Sequence, residues 1–114
     1  MPLDGFAGVG CRLDALESFL RQAALFDLGG PRLAKNLRGK VALARRLVDA
    51  ARTGDARRAA RRLRKADRTL MAFGVVVRTG ERRWRIGPPV AATLRALVGD
   101  VVLGLSPLRG VAGR

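Results

Sequence analysis

Hydrophobic residues recur at intervals of three and four along most of this chain, and the most regular run lies between Asp55 and Val77. At about 100° per residue, the apolar side chains of this run fall within roughly 80° of one another on a helical wheel. They are Ala59, Leu63, Ala66, Leu70, Phe73 and Val77. The opposite face spans roughly 160° of the same wheel and is almost entirely cationic. Its members are Arg57, Arg58, Arg61, Arg62, Arg64, Lys65 and Arg68. The pattern predicts an amphipathic helix with one face in a core and the other in water.

Three further stretches have the same helical spacing. The first covers residues 11–28 and places Leu13, Leu16, Leu20 and Ala23 or Ala24 on one face. The second covers residues 31–53, with Leu33, Leu37, Val41, Ala44, Leu47, Val48 and Ala51 on its inner face. The last runs from residue 88 to about residue 105 and carries Val90, Leu94, Leu97, Val98, Val101 and Leu105. Each of these faces needs a partner to cover it.

Glycine and proline separate the predicted helices. Gly29-Gly30 ends the first helix, because glycine adopts the left-handed conformation at a helix C-terminus without penalty, and Pro31 suits the first turn of the second. Gly54 at the end of the second helix is followed directly by Asp55, whose carboxylate can cap the third. This combination predicts a tight antiparallel hairpin between the second and third helices.

Residues 78–87 lack helical periodicity and are predicted to form a loop. Four helices joined by short turns predict an all-α fold, an up-down four-helix bundle. The bundle domain is expected to comprise residues 11–106. Residues 1–10 contain three glycines and one proline and are predicted to be an extended lead-in. Residues 107–114 are predicted to be a frayed tail.

The chain is strongly basic and poor in aromatic residues. Its 114 residues include 23 Lys and Arg against nine Asp and Glu, a formal net charge of +14, while aromatic residues make up only 4 %. The size fits one domain, and a core of Leu, Val and Ala favours packed helices. The charge excess favours a polyanionic partner. The alternative is that the arginine content reflects base composition and serves solubility only.

The residues needed for catalysis or metal binding are scarce. There is no histidine and one cysteine, so a zinc site of Cys/His type is not possible. Asp14 and Glu17 are three residues apart and could form an acid/base pair, or they could oppose the positive end of the first helix dipole. Asp49 lies four residues after Arg45, which predicts an intrahelical ion pair. We expect no catalytic site, no metal site and no cofactor, and no small-molecule substrate.

Cys11 cannot form an internal disulfide and is predicted to be a small buried residue. The N-terminus lacks the features of a secretory signal, which indicates a cytoplasmic protein, or an extracellular or cell-surface one if the chain is a fragment of an exported protein. The apolar stretch from Val90 to Leu105 contains Arg95 and Asp100 and falls short of the ~20 residues of a membrane span. We therefore expect a buried helix there, and no membrane-spanning segment.

The predicted cationic face could neutralise several phosphates, helped by the outer face of the second helix. That outer face carries Arg32, Lys35, Arg38, Arg45, Arg46 and Arg52. Trp84, within an arginine-rich stretch, is the one residue expected to be able to stack on a base, although capping one end of the bundle is the preferred interpretation. No helix-turn-helix spacing supports reading of a DNA sequence.

The succession LDALESFLRQ, LAKNLRGKVALARRLVDAARTGDARRAARRLRKADRTLMAFGVVV and IGPPVAATLRALVGDVV resembles the FIMAH-like helical domain of bacterial extracellular and surface proteins. The matching positions are Leu37, Lys40, Val41, Ala44, Ala59, Leu63, Leu94 and Leu97. The resemblance covers about residues 13–105. It implies a non-catalytic accessory module for attachment or contact between domains, and it carries no site residues. The chain lacks the second cysteine that some members of this family pair with the first.

These observations predict a basic helical accessory or interaction module that binds a protein or polyanionic partner, such as an acidic protein surface or a cell-surface polymer. One alternative is a nucleic-acid-binding protein that uses the arginine-rich face of the third helix. Another is a subunit of a larger assembly, in which case an apolar patch should remain open around Val102 and Leu103 on the fourth helix.

Overall fold

The computed structural model describes residues 5–112. They form four α-helices: α1 (Gly5–Gln22), α2 (Pro31–Thr53), α3 (Ala56–Arg82) and α4 (Pro88–Ala112). A short 3-10 turn, Phe26–Leu28, lies between α1 and α2. Each helix packs against its neighbours in the chain, and α1 also packs against α4, which closes the bundle. The prediction of an all-α four-helix bundle is confirmed.

The core consists of the inner faces of the four helices. All six residues of the predicted α3 stripe are buried, and Leu63, Phe73 and Val77 are completely inaccessible to solvent. From α1 the core receives Leu13, Leu16 and Leu20, as predicted. The periphery of the core is less complete, because Leu33, Leu47, Val90 and Leu97 are only partly buried against it. The 3.6-residue period thus located the inner face of each helix.

The turn between α2 and α3 contains the predicted cap. Asp55 precedes α3, and its Oδ1 accepts a hydrogen bond of 2.8 Å from the backbone N–H of Arg58. Gly54 does not take the left-handed conformation that is common for glycine at a helix C-terminus, since its φ and ψ are −88° and 170°. The side chain of Arg62 reaches across the turn instead, and its Nη1 donates to the carbonyl of Ala50 at 3.1 Å. One C-terminal carbonyl of α2 is therefore satisfied without a left-handed glycine.

We expect the substitution Asp55→Ala to lower the melting temperature at pH 7 and to have little effect in strong acid. The hydrogen bond from the Arg58 N–H, together with the charges of Arg58 and Arg61, lowers the pKa of Asp55 below its ordinary value of 3.8. Because the folded-state pKa is depressed, ionised Asp55 stabilises the fold above that ordinary value, and the contribution is lost as the pH falls through the lowered pKa. Thermal unfolding of both proteins between about pH 7 and pH 2 measures this. A difference that stays constant over the whole range would contradict it.

The predicted lead-in is wrong for residues 5–10, which form the first turns of α1. Phe6 and Val9 extend the apolar spacing of Leu13 and Leu16 toward the N-terminus, and Val9 is completely buried. A Cβ placed on Gly104 of α4 would lie 3.1 Å from Val9 Cγ2. Packing against α4 thus stabilises a helix in spite of its glycines. Residues 1–4 lie outside the described part of the chain.

The first helix is also shorter at its C-terminal end than predicted. It ends at Gln22, and the residues that follow lead into the 3-10 turn, where Leu28 is buried. Gly29 caps this turn in the left-handed conformation, with φ 87°, and its N–H donates to the carbonyl of Phe26 at 3.1 Å. The left-handed glycine was predicted at this position, although it caps the 3-10 turn rather than a continuous helix.

The two helices predicted to end near residues 77 and 105 both continue further along the chain in the structure. Helix α3 continues to Arg82, so the loop predicted for residues 78–87 is reduced to the short connection before Pro88. Helix α4 continues through Pro107 to Ala112, so the predicted frayed tail is wrong for residues 107–112. Leu108 continues the apolar row of α4 and packs partly buried against the core. Residues 113–114 lie outside the described part.

Candidate polyanion interface

The seven cationic residues predicted to form a binding face all lie on the first half of α3, but they do not have the same role. Six are exposed: Arg57, Arg58, Arg61, Arg64, Lys65 and Arg68. Arg62 is half-buried and donates its Nη1 to the carbonyl of Ala50. Arg62 therefore differs from the other six predicted members of the binding face, because its position near the start of α3 gives it a backbone acceptor within reach.

Four of the exposed residues form a straight line along the helix. Arg57, Arg61, Arg64 and Arg68 follow each other at intervals of four, three and four residues, which puts them on one side of α3. We call them the α3 arginine row. At 1.5 Å per residue the row is about 17 Å long, roughly half of a helical turn of duplex DNA. Arg58 and Lys65 lie beside it.

Few negative charges lie near the α3 arginine row. Asp55 Oδ2 is 3.8 Å from Nε of Arg58, and both of these side chains are 65 % exposed. Asp67 also belongs to α3, but it is only 8 % exposed and lies on the core side of the helix. All four side chains of the row are exposed to solvent. Its guanidinium groups are therefore available to a partner.

Helix α2 contributes less to this surface than predicted, because three of its six outer cations bind α1. Arg38 Nη2 donates to the carbonyl of Leu20 at 2.8 Å. Arg45 binds two carboxylates of α1, and the guanidinium of Arg52 lies 5.8 Å from the centre of the Phe6 ring. A cation at that distance attracts the face of the ring. Among the described residues, the other three outer cations of α2 are exposed and make no such contact with α1. They are Arg32, Lys35 and Arg46.

Asp14 and Glu17 bind Arg45, and neither of the two predicted roles applies to them. Arg45 Nε donates to Glu17 Oε1 at 2.5 Å, and its Nη2 bonds Asp14 Oδ1. Partial burial lowers the pKa of Arg45, but the hydrogen bond that Arg45 donates to Glu17 and the charges of Glu17, Asp14 and Asp49 outweigh it, and the net pKa is raised. The predicted ion pair with Asp49 is not formed, since Arg45 turns toward α1. This arrangement joins α1 to α2 and leaves no free acid/base pair.

Two further residues differ from their predicted environment. Cys11 is exposed rather than buried, because its position in α1 does not fall on the helical face that carries Val9, Leu13 and Leu16. Trp84 does not cap the bundle, because its side chain is 86 % exposed. Ile86, two residues later, occupies the core at this end and is completely buried. The sequence offered one cue for Ile86, an aliphatic residue in an otherwise polar stretch.

The outer surface of α4 is apolar but not continuous. Leu103 is 73 % exposed, as predicted for an open patch, while Val102 is half-buried. Among the described residues, α4 alone has the length and apolar composition of a membrane span, over residues 88–108 with a mean hydropathy of 1.4 and 28 % of the stretch buried. A core helix meets the same criterion, and the inner row of α4, including Leu94 and Val101, is packed in the bundle.

No group of three His, Cys, Asp or Glu side chains that could hold a metal ion occurs within residues 5–112. No family model, no curated protein and no solved structure matches this chain. The resemblance to FIMAH-like domains therefore stays a prediction.

Proposed function

We propose that this protein is a non-catalytic interaction module that binds an extended polyanion through the α3 arginine row. The observation that carries the proposal is a line of four exposed arginine side chains on a helix whose other side is fixed in the core. A rigid helix holds these charges at a constant spacing, so binding does not require the backbone to become ordered.

Arginine suits this task better than lysine. Its planar guanidinium forms two parallel hydrogen bonds to a phosphate, sulfate or carboxylate group, and it is less strongly hydrated than an ammonium group. Neutralising a polyanion also releases condensed counterions, so the affinity should fall steeply as salt rises. The proposal extends to nucleic acids and to sulfated or carboxylated polymers, which share this chemistry.

The test compares two triple charge reversals. In the first variant Arg61, Arg64 and Arg68 are changed to Glu. In the matched control Arg12, Arg21 and Arg78, which are exposed cations of α1 and of the C-terminal half of α3 outside the row, are changed to Glu, so that both variants have the same net charge. We expect the row variant to bind at least about tenfold more weakly, with its salt slope reduced by about 2 to 3. The control should lose much less.

Titrations of the three proteins with duplex DNA, single-stranded RNA and heparin at two salt concentrations provide the measurement, and circular dichroism checks that the variants keep their helix content. Equal losses in the two variants would refute the proposal, because binding would then depend on net charge alone. A preference for one nucleic acid over heparin would identify the narrower alternative, a nucleic-acid-binding protein. If the protein binds none of the three polymers and self-associates, the result would favour the alternative of an assembly subunit.

A further inference from the structure

Two of the five aromatic side chains of this protein lie almost completely in solvent. Phe26 is 87 % exposed and Trp84 is 86 % exposed, whereas Phe73 is buried and the two remaining phenylalanines, Phe6 and Phe19, are partly buried against the core. Leu25, next to Phe26, is 45 % exposed. Large apolar side chains at such exposure in a small domain indicate a contact surface when they occur together.

Phe26 and Trp84 belong to different connections, but both connections lie at the same end of the bundle. Because successive helices run in opposite directions, the α1–α2 and α3–α4 connections share one end and the α2–α3 hairpin lies at the other. Leu33 in the first turn of α2 is adjacent to Gly80 in the last turns of α3, since a Cβ placed on Gly80 would lie 3.4 Å from Leu33 Cδ2. We call Leu25, Phe26 and Trp84 the aromatic end.

The backbone around Trp84 keeps its side chain out of the core. Trp84 has φ 61°, the left-handed conformation that costs energy for any residue with a side chain. The N–H groups of Arg85 and Ile86 both donate to the carbonyl of Gly80, at 2.8 and 3.2 Å. Ile86 then packs into the core against Gly80. The turn is thus fixed from both sides, and the exposure of Trp84 is a consequence of that fixed geometry.

The aromatic end is surrounded by positive charge. Arg82, Arg83 and Arg85 flank Trp84, and Arg32 and Lys35 lie in the first turns of α2; all five are exposed. Of the two nearby acids in the connections and adjoining turns, Asp27 is exposed, while Glu81 is bound by Arg95 of α4. A net positive rim around protruding apolar side chains is complementary to a surface that is anionic outside and apolar beneath.

We propose that the aromatic end binds the surface of an anionic lipid bilayer, with Trp84, Phe26 and Leu25 entering the headgroup region and the flanking arginines contacting lipid phosphates. Tryptophan prefers this interface because its ring is apolar and its N–H remains hydrated. Apolar insertion and cationic attraction together provide the two contributions that stable attachment needs. A single-stranded nucleic acid fits less well, because it requires a groove with successive stacking platforms, and Leu25 cannot stack on a base.

This site is separate from the α3 arginine row. Arg68, the last member of the row, lies about 21 Å from Arg82 along the axis of α3. The proposal therefore does not depend on the function proposed above, and different variants test the two.

Trp84 makes the test direct, because the chain contains one tryptophan and no tyrosine, so that the emission reports on the aromatic end alone. The protein is titrated with vesicles of phosphatidylcholine and with vesicles that also contain phosphatidylglycerol. We expect a blue shift of the Trp84 emission with the anionic vesicles only, and quenching by lipids brominated on the acyl chain. The absence of a blue shift on anionic vesicles would overturn the proposal.

Variants then separate insertion from simple charge attraction. Replacing Leu25 and Phe26 by serine keeps the tryptophan and should weaken vesicle binding about tenfold or more, because the insertion of apolar side chains is lost. Arg83→Glu with Arg85→Glu should have a comparable effect. The control Met71→Ser removes an apolar side chain that is 60 % exposed but lies on the side of α3, and it should bind as the unchanged protein does.

The charge-reversed row variant, with Arg61, Arg64 and Arg68 changed to Glu, should retain the blue shift. If it loses vesicle binding while the serine variant does not, attachment is electrostatic adsorption through α3, and the proposal is wrong. Quenching of Trp84 by single-stranded oligonucleotides, stronger than the response to vesicles, would assign the aromatic end to base stacking and would equally overturn it.

Discussion

Replacing Phe73 by alanine is expected to reduce the free energy of unfolding by about 3 to 5 kcal/mol. Phe73 is completely buried, and among the described residues it is the largest of the fully buried side chains. It belongs to the core cluster of the bundle, so the lost volume would open inside the core. Domains of this size are stabilised by about 5 to 15 kcal/mol in total, so the substitution removes a large part of the stability and should lower the denaturation midpoint clearly.

Met71→Ala provides the matched control for Phe73→Ala. It lies two residues earlier on the same helix, but its side chain is 60 % exposed, and its replacement should change the stability by no more than about 0.5 kcal/mol. Urea denaturation followed by circular dichroism gives both values. If the two variants are equally stable, the inward orientation of the stripe is wrong, and with it the outward orientation of the α3 arginine row.

Ile86→Ala is expected to cost about 2 to 5 kcal/mol, although Ile86 lies in a stretch that the sequence predicted to be a loop. The side chain is completely buried. It covers Gly80 so closely that a Cβ at position 80 would lie 2.7 Å from Ile86 Cδ1. Shortening Ile86 removes the contact that joins the end of α3 to the beginning of α4, and the connection should loosen.

Arg85→Ala serves as the control for Ile86→Ala, because Arg85 precedes it in the same turn and is exposed. We expect that variant to change the stability by about 0.5 kcal/mol or less. Denaturation curves give the stability, and the anisotropy of Trp84 reports on the turn itself. An Ile86→Ala protein as stable as the Arg85→Ala protein, with unchanged anisotropy, would show that Ile86 does not anchor the connection.

The candidate binding face was largely predictable because it depends on periodicity. Once Leu63, Leu70 and Phe73 point inward, the period of 3.6 residues places Arg61, Arg64 and Arg68 on the outside. The cap at Asp55 was predictable for a similar reason, since it involves residues only three positions apart.

The role of each individual cation was not predictable, because it depends on groups that are distant in the sequence. Arg45 reaches Glu17, which is 28 residues away, and Arg38 reaches the carbonyl of Leu20, 18 residues away. In the sequence, these two arginines belong to the same predicted outer face of α2 as Arg46, which is exposed. Only the position of α1 beside α2 separates cations that hold the bundle together from cations that face solvent.

At the aromatic end, too, the sequence shows which residues are present but not which side chain is buried. The composition of residues 78–87 shows one tryptophan and one isoleucine among arginines, and on hydrophobicity alone either residue could enter the core. The extension of α3 to Arg82 and the hydrogen bonds to the carbonyl of Gly80 decide that Ile86 enters and Trp84 does not. Such a choice depends on where two helices end relative to each other, which local patterns do not specify.

The amino-acid sequence by itself determined the four helices, the inner face of each and the cationic character of α3, because these properties follow from the spacing of neighbouring residues along a helix. The tertiary structure decided how far α1, α3 and α4 extend, which arginines are engaged between helices, and that Phe26 and Trp84 are exposed in their connections. These features result from packing between segments far apart in the chain, where burial and long-range hydrogen bonds outweigh local preference.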